Sequence, residues 1–166
     1  MKLKVKLFAD GAEKAGMLEM YQNPLISGFT TNPTLMKKAG VSDYKAFAKD
    51  ILSHIPDKPI SFEVFSDEFE EMERQALDIA SWGENIYVKI PITNTKGESC
   101  VPLITTLSEK EVKVNVTAMF TVQQVRSVIP GLSKGTGGYV SVFAGRIADA
   151  GLDPLEIMQE VLRLIK

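Results

Sequence analysis

Short apolar strands alternate with longer helical segments along the whole chain, and this alternation restricts the fold more than any other feature. Strand patterns fall at residues 4–9, 26–30, 60–65, 86–90, 113–118 and 139–143. Helical spacing of apolar residues falls between and after them, at 13–21, 43–53, 67–81, 99–107, 122–129 and 154–165. Sustained strand–helix alternation means parallel strands joined by crossover helices. An open doubly wound sheet and a closed (β/α)8 TIM-barrel-type ring both satisfy it. No Gly-x-Gly-x-x-Gly turn follows the first strand, so the dinucleotide-binding form of the open sheet lacks support. Polar residues cluster instead at the C-terminal ends of the strands: Asp10, Thr31-Asn32, Glu63, Lys89, Asn115, Thr117 and Ser141. A barrel builds its active site at that end, from several strands at once.

Local signals agree with this division. Thr121-x-x-Gln124 and Asp153-Pro154-x-Glu156 read as helix starts, each with a side-chain acceptor for orphan amides and a second polar group three residues on. Within 67–81, Phe69, Met72, Ala76 and Ile79 recur at helical spacing, while Glu68, Glu70, Glu71, Glu73 and Arg74 fill the solvated faces. The chain has 166 residues and six strand–helix units. An eight-stranded barrel takes about 200 residues or more. The expectation is therefore a single barrel domain over 1–166, C-terminally incomplete, with strands 7 and 8 missing. It is a fragment, is completed by another chain, or keeps an open sheet with two free edges.

Lys89 is the residue least at ease in its setting. Ile86-Tyr87-Val88-Lys89-Ile90-Pro91-Ile92 is a strand pattern interrupted by one ammonium. Lysine is depleted in strands and almost never fully buried unless paired. Two readings fit. A strand-end lysine can snorkel to water. A lysine directed into the core has its charged form disfavoured and its pKa lowered, which makes it a nucleophile for carbonyl compounds.

The other polar residues also have two readings each. Asn32 before Pro33 and the pair Asp10-Gly11 fit ordinary turns, and Arg146 fits a surface charge. Glu63 inside Ser61-Phe62-Glu63-Val64-Phe65 is harder to dismiss, because a carboxylate in an apolar strand needs a partner. Taken together, an amine, carboxylates, amides, hydroxyls and a guanidinium suit Schiff-base chemistry on a phosphorylated ketose.

Composition narrows the alternatives. Hydrophobic content of 45% and charged content of 24% are those of a globular chain. A net charge of −2 without a basic cluster argues against nucleic acid or an anionic membrane surface as partner. No apolar run approaches the ~20 residues of a membrane span, and residues 1–8 alternate like a strand rather than a signal peptide. The single cysteine, Cys100, excludes an internal disulfide and a cysteine-based zinc cage, and fits a reducing cytoplasm. His54 reads as a surface residue at a helix end, Cys100 as a small, partly buried helix residue, and the methionines as core filler.

Four segments carry a family resemblance: Gly28-Phe29-Thr30-Thr31-Asn32-Pro33-Thr34-Leu35, Ile86-Tyr87-Val88-Lys89-Ile90-Pro91, Val114-Asn115-Val116-Thr117-Ala118-Met119-Phe120-Thr121 and Tyr139-Val140-Ser141-Val142-Phe143-Ala144-Gly145-Arg146-Ile147. In order and spacing the chain resembles the transaldolase family, over essentially its whole length. The resemblance implies a (β/α)8 barrel and a cofactor-free transfer of a dihydroxyacetone unit from a ketose phosphate to an aldose phosphate, a step of the pentose phosphate pathway. Carried over by position, Lys89 resembles the Schiff-base lysine. Glu63, through a water held with Thr117, resembles the proton-transfer carboxylate, and Asp10 the acid–base group at the carbon–carbon bond. Asn32, with Thr31 beside it, and Asn115 resemble the sugar-hydroxyl ligands. Ser141 and Arg146 resemble part of the substrate and phosphate grip, and Phe143 the aromatic wall. No metal or cofactor is implied. The implied partners are a sugar-phosphate substrate and further copies of the chain in a cytoplasmic homo-oligomer.

Two positions bear on the branch. The fructose-6-phosphate aldolase branch typically has glutamine on the third strand and tyrosine on the sixth, whereas Glu63 and Phe143 resemble the transaldolases. A glutamate carries protons and a glutamine does not. The alternatives are an aldolase acting on fructose 6-phosphate or dihydroxyacetone, and a catalytically inactive barrel fragment. Val142 departs from the family, which usually has proline there, and the family's seventh-strand phosphate contacts and C-terminal helix have no counterpart in the sequence.

Overall fold

The computed structural model describes residues 4–132 and 136–165. Six strands are present among the described residues: β1 (Leu7–Asp10), β2 (Ile26–Thr30), β3 (Ile60–Glu63), β4 (Ile86–Pro91), β5 (Val114–Met119) and β6 (Gly138–Val142). They form one sheet in sequence order, and every neighbouring pair is parallel. The helices are α1 (Lys14–Tyr21), α2 (Pro33–Lys38), α3 (Tyr44–His54), α4 (Phe69–Ala80), α5 (Val101–Glu109), α6 (Val122–Val128), α7 (Ala144–Asp149) and α8 (Pro154–Leu164).

The sheet curls into a half-barrel. Phe8 on β1 and Tyr139 on β6 meet edge to face with ring centroids 5.4 Å apart, although these are the two outermost strands. Tyr87 on β4 lies 4.3 Å from Tyr139, so three aromatic rings converge inside the curl. Two residues further along these strands stand Asp10, Lys89 and Ser141, on the same faces because strand side chains alternate with period two. The aromatic layer therefore lies under a polar layer, toward the N-terminal ends of the strands.

The outer faces of the strands pack against the helices. Ile60, Phe62, Val88, Ile90, Val114 and Val116 are essentially inaccessible, and Met72, Ala76 and Ile79 of α4 and Ile104 and Leu107 of α5 join them in one core. Thr121 caps α6 in a full capping box with Gln124. Asp153 caps α8 through the Leu155 amide. No helix among the described residues is long and apolar enough to cross a membrane.

Several sequence expectations need correction. The first strand begins at Leu7, not at residue 4, because Lys4, Val5 and Lys6 lie outside the pairing with β2; residues 1–3 of the alternating segment lie outside the described residues. Two short helices, α2 and α7, occupy segments that carried no helical assignment. Each has only six residues, too few for a periodic pattern to register. Cys100 is fully buried and stands at the position before α5 rather than inside it. The fourth-strand helix accordingly starts at Val101.

Candidate active site

Lys89 points inward. It is 8% exposed, on the strand with close neighbours on both sides, and its register places it beside Glu63 of β3 and Asn115 of β5. Its Nζ lies 3.4 Å from Glu63 Oε2 and donates to the Thr31 carbonyl at 3.1 Å. The carboxylate that looked out of place in the sequence thus has a cation for its partner. Burial pushes the Glu63 carboxyl above the usual carboxylate range, the Lys89 charge opposes this, and the charge of Asp10 adds to it.

A second chain of contacts continues around the curl. Asn115 Nδ2 donates to Ser61 Oγ at 3.0 Å, and Ser141 Oγ donates to Asn115 Oδ1 at 2.7 Å. Thr117 stands two residues beyond Asn115 on the same face; its hydroxyl, like that of Thr31, is buried with no hydrogen-bond partner among the described residues. At the open side, Thr30 Oγ1 donates to Asp10 Oδ1 at 2.7 Å. A cavity of about 970 Å³ opens between β1 and β6, lined in part by Thr30, Asn115, Ser141, Phe8 and Tyr139. Its size falls within the range of small-molecule sites, and Asn115 and Ser141 link it to the polar cluster, while Ile129, Pro130, Leu132 and Leu164 make much of its wall apolar.

The remaining candidates occupy the mouth. Asn32 caps α2, its Oδ1 accepting from the Leu35 amide at 2.9 Å, which leaves its side-chain N–H groups free of that role. Phe143 precedes α7, is 36% exposed and packs edge to face on Phe120 at 5.7 Å. Arg146 extends into solvent with 76% of its side chain exposed, 3.7 Å from Asp149. Lys89, Glu63, Asn115, Thr117 and Ser141 thus come together on adjacent strands, Asp10 stands at the open edge, and Arg146 lies out in solvent beside Asp149.

The sequence matches the transaldolase/fructose-6-phosphate aldolase family over residues 7–166. The chain belongs to that family. Curated relatives named "Probable transaldolase" share 35% identity in Dehalococcoides mccartyi, across 98% of this chain and 71% of the relative. In Caldicellulosiruptor saccharolyticus the identity is 37%, across 98% of this chain and 70% of the relative. A solved structure described as "QR15, an Aldolase" superposes with a TM-score of 0.56 at 11% identity, covering 83% of this chain and 70% of that one. At that identity the likeness concerns the fold, a partial (β/α) barrel.

Three residues of the cluster escaped the sequence reading. Ser61 lies two positions before Glu63 and alternates with Ile60 and Phe62, so its inward placement was readable from period two. Thr30 was visible only as part of a motif. Tyr44 carried no signal: it reaches β3 from the start of α3, a contact that arises from the crossover geometry.

Proposed function

We propose that this chain is a transaldolase that moves a dihydroxyacetone unit from a ketose phosphate to an aldose phosphate through an imine at Lys89. The observation that carries the reading is the largely buried Lys89–Glu63 pair, with Nζ and Oε2 3.4 Å apart, beside the Thr117 hydroxyl, which has no partner among the described residues. A lysine enclosed by strands, next to a carboxyl that burial holds above its ordinary range, joins a nucleophile to a group able to take and return protons.

In this reading the Lys89 amine adds to the ketose carbonyl. Glu63, through a water held with Thr117, moves the protons that let the carbinolamine oxygen leave as water, giving the imine. Asp10 takes the proton of the substrate hydroxyl as the adjacent carbon–carbon bond breaks. The electron pair passes into the imine to form an enamine, and the aldose phosphate departs. The enamine carbon then attacks the aldehyde of the acceptor, Asp10 returns its proton, and water hydrolyses the imine to release product and regenerate Lys89. Asn32, Asn115 and Ser141 hold sugar hydroxyls, Phe143 walls the site, and Arg146 turns toward the phosphate. Glu63 and Phe143 support transfer over free aldol cleavage, since the fructose-6-phosphate aldolase branch typically has glutamine and tyrosine where this chain has these two residues.

The test is borohydride reduction in the presence of fructose 6-phosphate, followed by peptide mass spectrometry. An adduct on Lys89 is expected, together with transfer to an aldose phosphate in excess of free dihydroxyacetone. No adduct, or one on another lysine, rejects the mechanism. Predominant release of dihydroxyacetone makes the protein an aldolase.

A further inference from the structure

The backbone of Glu63 lies where the β2–β3 ladder ought to continue and does not. In that ladder the Phe29 amide donates to the Pro59 carbonyl at 2.8 Å and the Thr31 amide donates to the Ser61 carbonyl at 3.0 Å. The next donor in the series, two residues on, is Pro33, which has no N–H. The Glu63 carbonyl is therefore left without a strand partner. The same register assigns the Glu63 amide to the Thr31 carbonyl. That carbonyl accepts the Lys89 ammonium instead. Two backbone groups of the carboxylate residue are orphaned at one point, in a half-buried place where an unpaired polar group is costly.

One side chain satisfies both. The Tyr44 hydroxyl accepts from the Glu63 amide at 2.8 Å and donates to the Glu63 carbonyl at 3.0 Å. Its ring is fixed by edge contacts with Phe62, Phe65 and Trp82, at 5.8, 4.7 and 5.5 Å between centroids. The helix that carries it starts under the Asp43 cap, whose Oδ1 accepts from the Ala46 amide at 2.9 Å. Burial holds the phenol above its ordinary pKa, so the donor proton stays in place throughout the working range.

We infer that Tyr44 is a positioning residue: its hydroxyl stands in for the missing rung of the β2–β3 ladder, releases the Thr31 carbonyl to hold the Lys89 Nζ, and thereby sets the Lys89–Glu63 geometry. Tyr44 touches no reacting atom, and its role rests on the transaldolase reading. The arrangement ties a proline, a carbonyl, a lysine and a carboxylate to one phenol, so a small displacement of β3 moves the proton-transfer group relative to the nucleophile.

Tyr44→Phe removes the hydroxyl and keeps the ring. It is expected to lower kcat about 10- to 100-fold, the scale of an ångström-level misplacement, with KM for the ketose phosphate within about twofold. It should also shift the acid limb of the kcat–pH profile, which follows Glu63. Trp82→Phe loosens the same aromatic cluster without touching Glu63; it should lose stability while keeping kcat and the acid limb. If Tyr44→Phe keeps kcat and the limb, or if Trp82→Phe reproduces its kinetics, the positioning role is overturned. Amide exchange in the unmodified protein supplies an arm that needs no variant: the Glu63 amide should be protected like that of Phe62, and a freely exchanging Glu63 amide overturns the proposal. Borohydride trapping on the unmodified protein is run alongside. Failure to trap Lys89 rejects the transaldolase reading, whereas the amide-exchange result still decides whether Tyr44 holds the β3 backbone.

Discussion

Strands β3 to β5 and the outer strands β1 and β6 are built to different standards. Each central strand pairs on both sides and buries its outward residues almost completely. The outer strands pair on one side only and are at best half-buried along their length. The division matches chemistry. Glu63, Lys89, Asn115 and Thr117 stand on the central strands, whereas Asp10, Ser141, Phe143 and Arg146 belong to the flanks or the segments after them. In the proposed reading the imine-forming Lys89 and its partner Glu63 sit where groups are fixed and dehydrated, while Asp10, the acid–base group at the carbon–carbon bond, stands with recognition residues at the open edge. Substrate recognition tolerates, and access requires, an open side.

Core truncation should expose this difference with the largest effect. Phe62 on β3 is fully buried, and Phe62→Ala is expected to cost about 3–5 kcal/mol in urea unfolding. Val140 on β6 is half-buried, and Val140→Ala should cost about 1 kcal/mol. Equal losses would show that the flank is as tightly packed as the centre and would remove the comparison.

A charge test follows. Lys89→Met leaves the Glu63 carboxyl buried with no cation at its side, and breaking such a pair costs about 3–5 kcal/mol when burial is complete. Glu63 keeps 21% of its side-chain exposure, so about 2–3 kcal/mol is expected with Glu63 ionised. The pH dependence has a definite sign. Burial already raises the Glu63 pKa in the fold, so its favourable contribution is complete below the unfolded value and is lost as pH rises through the folded value. Removing Lys89 raises the folded value further. The deficit of Lys89→Met should therefore grow from acid toward neutral pH, as measured by unfolding at a series of pH values. Arg146→Met, at a side chain 76% exposed, should stay within about 0.5 kcal/mol at every pH. A pH-independent Lys89 deficit would mean that the ion pair does not hold the centre.

The same division governs what the sequence disclosed. The central strands were legible because long apolar runs bounded by turns leave few readings, and an ionisable residue inside such a run stands out; Lys89 and Glu63 were found this way. The parallel order of the sheet followed from alternation alone. The start of β1 and the helices α2 and α7 were not legible, since edge strands and six-residue helices depend on tertiary contacts for their existence. Tyr44 was invisible for a related reason. Nothing local marks a tyrosine at a helix start as the partner of a backbone segment 19 residues away.

The smallest expected effect lies where the two regions meet. The β5–β6 pairing shifts register between Val116 and Met119, and Ala118 inside that shift has φ +57°. A left-handed conformation at a residue with a Cβ costs about 1 kcal/mol. It turns the chain directly after Thr117, at the point where the β5–β6 pairing loses its regular register. Ala118→Gly removes the Cβ penalty but adds freedom to the unfolded chain, and the net expectation is a gain of up to about 1 kcal/mol. Activity should be retained, because glycine adopts the same conformation. Ala118→Val places a β-branched side chain in a region it rarely adopts, so stability and activity should fall together. If Ala118→Gly destabilises, or if Ala118→Val leaves kcat unchanged, the bulge does not orient Thr117, and the boundary between a rigid centre and a loose flank has to be drawn on the other side of β5.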